Sequence, residues 1–127
     1  MSTFRTSLSI AALAGGLFFS ALAQAHPKLI SSDPQANAET VSPTKIELHF
    51  SETLVTQFSG AKLVMTGMPG MTHSPMSVDA NVSGGTDGKT MIITPAKPLV
   101  TGTYRVEWRA VSSDTHPVTG SLSFSVK

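Results

Sequence analysis

The chain has 127 residues, with nine Lys and Arg, eight Asp and Glu, and no cysteine. Charged residues make up 13% of it, well below the ~25% usual for soluble domains, and they form no basic stripe or acidic tail, which argues against nucleic acid as a partner. Without thiols there are no disulfides, nothing for a redox metal to oxidise irreversibly to a cysteine acid, and stability must come from the core.

The first segment reads MSTFRTSLSIAALAGGLFFSALAQA. Arg5 supplies a short positive region, Leu8 to Leu22 is nearly all apolar or small, and Ala23-Gln24-Ala25 fits a small-residue cleavage site. Ser20 and Gly15-Gly16 interrupt the apolar run and no basic stop-transfer flank follows, so a secretory signal peptide is expected rather than a membrane anchor. Cleavage after Ala25 is expected to export residues 26–127 as a chain that is not membrane-embedded. Loss of Arg5 makes that chain formally neutral, and its length suits one domain burying ~60–70% of the unfolded chain's surface.

The new first residue is His26, followed by Pro27. A free α-amine with an ordinary pKa of ~7.7–8.0 and the adjacent imidazole can chelate one metal ion near neutrality. Pro27 has no N–H, so the chelate stops at those two nitrogens. Asp33-Pro34 marks a turn, and Ile46, Leu48 and Phe50 then alternate with Lys45, Glu47 and His49, the period-two pattern of a half-buried strand. His49 belongs to the polar face of that strand and reads as an ordinary surface residue.

Ala61 to Met65 is a second predicted strand, and it runs into MTGMPGMTHSPM, residues 65–76. Met65, Met68, Met71 and Met76 gather there with His73; past residue 25 the only other methionine is Met91. The three-residue spacing could be a helical stripe, but Gly67, Pro69, Gly70 and Pro75 lie between the sulfurs, and a helix-interior proline costs roughly 3 kcal/mol. The stretch therefore reads as a surface loop. Exposed thioethers suit a promiscuous docking surface or soft ligation of Cu(I), with His73 completing the set. Methionine gives such ligation in an oxidising compartment without forming disulfides.

A turn cluster at residues 83–88 precedes a predicted strand at 90–94, and Pro95 to Pro98 ends it. Leu99 to Tyr104 resembles the corner before an immunoglobulin-type strand, in which a tyrosine hydroxyl bonds back to the chain. Strands at 104–109 and 121–126 follow, with Ser112 to Pro117 between them. In extended backbone Asp114 and His116 would point the same way, and nitrogen with carboxylate oxygen suits Cu(II); a turn or capping role for Asp114 with His116 a solvated loop residue is the equal alternative. Short punctuated strands of this kind predict an all-β protein, a small Greek-key immunoglobulin-like β-sandwich of antiparallel strands, cupredoxin-like in general shape.

The segments HPKL, LHFSE, FSGAKLVM, MPGM followed by HSPM, and WRAVSSDTHPVTG resemble the CopC/PcoC family of periplasmic copper-resistance carriers along essentially all of residues 26–127. The resemblance implies a Cu(II) site of His26, Asp114 and His116, with Glu52 a further candidate because it lies near that site in some relatives. It implies a Cu(I) site drawn from Met65, Met68, Met71, His73 and Met76 at the far end of the sandwich. It also implies copper exchange with an inner-membrane copper transporter and a periplasmic multicopper oxidase; a monomer is expected, and no enzyme activity. Two other readings stand beside the carrier. A terminal histidine with a second histidine is also the brace of copper oxygenases that cleave polysaccharides, but one Trp and one Tyr make a poor sugar platform. A structural immunoglobulin-like module needs only the sandwich.

Overall fold

The structure, a computed structural model, describes residues 26–127; the predicted signal peptide, 1–25, lies outside the described residues. Among the described residues nine strands occur in chain order: β1 Leu29–Asp33, β2 Glu39–Thr40, β3 Ile46–Phe50, β4 Gly60–Met68, β5 Met71–Val78, β6 Ala80–Gly84, β7 Thr90–Pro95, β8 Gly102–Val111 and β9 Pro117–Val126. A short 3-10 turn, Thr56–Phe58, leads into β4. The strands form a four-stranded sheet, β1-β3-β7-β6, and a five-stranded sheet, β2-β9-β8-β4-β5. Among the described residues no helix is long and apolar enough to cross a membrane.

The Greek-key immunoglobulin-like sandwich expected from the alternation is present, with one departure. Adjacent strands pair antiparallel except β2 with β9, which run parallel. β2 has only two residues, too short to carry a readable alternation. Ile46, Leu48 and Phe50 of β3 face Tyr104, Val106 and Trp108 of β8 and Leu122, Phe124 and Val126 of β9 in one core. Burying such side chains contributes ~25 cal/mol per Å² of apolar surface. Phe50 and Trp108 meet edge to face with centroids 5.1 Å apart. The Tyr104 hydroxyl donates to the Val100 carbonyl at 2.6 Å, the expected corner; burial raises its pKa against that hydrogen bond.

The methionine stretch departs from expectation. It is a hairpin, β4 and β5, joined through Pro69 and Gly70. Gly70 has φ 75°, and proline then glycine at the two central positions, with positive φ at the second, is type II turn chemistry. The residues that exclude a helix here build a turn rather than a loop. Pro75 is accommodated because β5 is the edge of its sheet. β5 is mostly exposed on both faces, so no apolar alternation announces it.

Candidate metal centre

His26, Asp114 and His116 come together, with one ligand atom from each lying within 4.8 Å of the others. They arrive from opposite ends of the described chain. Pro27 is fully buried and anchors the start. Lys28 N–H donates to Ser51 Oγ and Ser51 N–H donates to the Lys28 carbonyl, both at 2.9 Å, which ties this segment to the end of β3. His26 is thereby held over the loop that joins β8 to β9.

That loop is a turn, not the extended backbone expected for Asp114 and His116. Thr115 has φ 64°, rare for a β-branched residue, and its N–H donates to the Ser112 carbonyl at 2.9 Å. Asp114 Oδ1 accepts from the His116 N–H at 3.1 Å and from Ser112 Oγ at 3.2 Å. These bonds leave Oδ2 facing His26 Nδ1 at 2.9 Å. Two ligand atoms at right angles on a first-row metal, each bonded at ~2.0 Å, stand ~2.8 Å apart, close to that spacing. The His26 and His116 rings are 5.9 Å apart between centroids. Burial pushes the Asp114 pKa up, but the donors from His116 and Ser112 and the two nearby imidazoles outweigh it, holding the group below its ordinary 3.8. It is thus a carboxylate, a competent oxygen ligand, at neutral pH.

Glu52 does not join this cluster among the described residues. His49 is engaged elsewhere, with Nδ1 3.1 Å from Thr90 Oγ1 and Nε2 3.4 Å from Glu47 Oε1. Ser112 and Thr115 shape the site without having been legible as contributors, and the burial of Pro27 was not legible either. Their signal was only adjacency to the ligand residues.

The five residues named for a soft site separate into two groups. Met65 is 7% exposed and part of the core, whereas Met68, Met71 and Met76 are 48%, 60% and 58% exposed. Met68 stands opposite Met71 across the hairpin, so their side chains share a face. Between the pairs Met65–Met76 and Gly67–Thr72, β5 spends three residues against the single Thr66, and His73 sits in that bulge. Its Nδ1 lies 2.7 Å from the Ser74 carbonyl, which can only accept, so Nδ1 carries a proton and the lone pair of the neutral ring is the one on Nε2. Nε2 is buried and has no hydrogen-bond partner among the described residues. A ring nitrogen fixed in this way by a carbonyl at the other nitrogen is the arrangement of a metal ligand.

The two clusters lie at opposite ends of the five-stranded sheet. Gly67 of β4 pairs with Thr103 near the start of β8, while the Asp114 loop follows Val111 at its end, so ~25 Å of strand separates them.

The CopC domain family matches residues 29–127. The chain is 69% identical over 123 residues to copper resistance protein C of Pseudomonas syringae pv. tomato, covering 97% of each chain. It is 56% identical over 128 residues to copper resistance protein C of Escherichia coli, covering 100% of each. Its fold is similar to the crystal structure of PcoC, a methionine-rich copper resistance protein from Escherichia coli, with TM-score 0.76 and 60% identity over 81% of this chain and 100% of that one. Since the family match runs from the first residue of β1 to the residue after β9, and so takes in both sheets, the chain belongs to the CopC family.

Proposed function

We propose that this chain is a copper-binding resistance protein, exported with cleavage after Ala25, that carries Cu(II) on His26, Asp114 and His116 and Cu(I) on the methionine hairpin. The observation that carries the reading is the meeting of His26 with Asp114 and His116. Cleavage would free the α-amine of a residue whose ring already stands 2.9 Å from a carboxylate oxygen. Two imidazoles, an amine and a carboxylate form the nitrogen–oxygen set that tetragonal Cu(II) prefers. At the other end, Met68, Met71 and Met76 offer soft sulfur and His73 Nε2 an unshared lone pair, a set for Cu(I). Core-bound Met65 supports the hairpin rather than the ion.

The function is carriage rather than oxidation. Asp114 would fill a coordination position that oxygen chemistry needs open. The exchange partners inferred are an inner-membrane copper transporter and a periplasmic multicopper oxidase.

Copper titration of residues 26–127, run separately under oxidising and reducing conditions, tests the proposal. Cu(II) uptake should be lost in His116→Ala alone, and Cu(I) uptake in the Met68, Met71, Met76→Ile variant alone. Loss of both activities in either variant, or of neither, would sink the two-site carrier.

A further inference from the structure

The methionines divide sharply by access. Met68, Met71 and Met76 are 48%, 60% and 58% exposed, while Met65 and Met91 are 7% and 3% exposed and lie in the core. No cysteine competes for oxidants, and Trp108 is 8% exposed. The hairpin is therefore the accessible soft nucleophile of residues 26–127.

We propose that Met68, Met71 and Met76 form a reversible oxidation site through which peroxide disarms the soft face while sparing the fold and the nitrogen–oxygen site. The copper consequence rests on the reading of the hairpin as a Cu(I) site. In each step a sulfur lone pair attacks one peroxide oxygen, an S–O bond forms and the O–O bond breaks. Sulfur gives up two electrons, and the departing hydroxide takes the proton released from the transferred oxygen, leaving as water. The sulfoxide has spent a sulfur lone pair and presents a hard oxygen, so it no longer suits Cu(I). The new polar groups stay in solvent on an edge strand, whereas a sulfoxide at Met65 or Met91 would have to enter the core. Sulfoxides of this kind are returned to thioethers by methionine sulfoxide reductases, so the loss is recoverable. Soft-metal binding ties up the same lone pairs and should shield them.

The experiment treats residues 26–127 with hydrogen peroxide and follows oxygen uptake at each methionine by peptide mass. Met68, Met71 and Met76 should each gain one oxygen before Met65 or Met91 does. Cu(I) uptake should then be lost, with Cu(II) uptake and Tm retained, and a methionine sulfoxide reductase should restore it. Ag(I), a soft ion that does not react with peroxide as Cu(I) does, should slow oxidation of the three when bound first. Equal oxidation of Met65 and Met91 in folded protein, or normal Cu(I) uptake after all three are oxidised, would overturn the proposal. Untreated protein that takes up no Cu(I) would instead overturn the soft-site reading, and the copper consequence with it.

Discussion

Met65 and Met76 stand directly opposite each other on β4 and β5, yet the first is buried in the core and the second is 58% exposed. The pairing puts both on one face of the ladder. β4 has β8 on its other side, whereas β5 is the edge of the sheet, so only Met65 is covered. Met65→Ala should therefore destabilise the protein by about 2–5 kcal/mol, the cost of a core cavity. Replacing Met68, Met71 and Met76 together by isoleucine should change stability by no more than about 1.5 kcal/mol, because exposed substitutions cost ~0.5 kcal/mol or less each. Urea denaturation distinguishes these outcomes; a loss of several kcal/mol in the triple variant would make those methionines core.

The terminal chelate predicts a strong dependence on processing. One glycine added before His26 moves the α-amine away from the imidazole without touching buried Pro27. Cu(II) affinity should drop by at least an order of magnitude while the thermal midpoint stays put. An unchanged affinity and Cu(II) spectrum in the extended protein would exclude the amine as a ligand.

Separation of the two clusters across the five-stranded sheet predicts how copper moves. On reduction, Cu(II) held by the triple isoleucine variant should pass to a His116→Ala protein that keeps only the hairpin. Transfer should slow as both are diluted, because no ligand spans ~25 Å within one molecule. Redox migration in the unmodified protein that is independent of concentration would point to an intramolecular path.

Gly120 is required by its neighbour. It pairs with Trp108, and a Cβ there would lie 2.8 Å from the indole Cε2, while Phe50 meets the same ring at 5.1 Å between centroids. Gly120→Ala should cost about 1–3 kcal/mol by overpacking, with a changed Trp108 emission reporting the displaced ring. A neutral substitution would mean that the two sheets part more easily than the packed core implies.

Acid should remove a specific contribution from the β6–β7 turn. Asp87 accepts from the Lys89 N–H at 2.8 Å and from Thr90 Oγ1 at 3.0 Å. The Lys89 bond chiefly holds its pKa below 3.8; burial opposes this, and Thr90 and the His49 charge add to the lowering. A depressed carboxylate stabilises the fold above its unfolded pKa and loses that effect as pH falls through the lower, folded value. Asp87→Asn should thus be less stable than the parent at neutral pH, with the gap narrowing below pH 3.8. A gap that is constant with pH would show that the charge contributes nothing.

Periodicity was enough to read β3, β8 and β9, because each buries one face against the opposite sheet and so must alternate, whereas β7 was legible only as a short apolar run between turn clusters. It could not announce β5 or β6, edge strands whose side chains mostly meet water on both faces. Glycine and proline ruled out a helix at residues 65–76, but whether they made a loop or a turn depended on β8 being present to pair with β4. Residue type identified His26, Asp114 and His116 as ligand chemistry, since imidazole and carboxylate are donors in any fold. Their meeting was decided in three dimensions, where burial of Pro27 brings the chain's start onto a loop near its end. Nor does sulfur chemistry distinguish Met65 from Met68, Met71 and Met76, which are the same side chain. Packing against β8 and the core buried one thioether, and the open edge of the sheet left the other three to solvent.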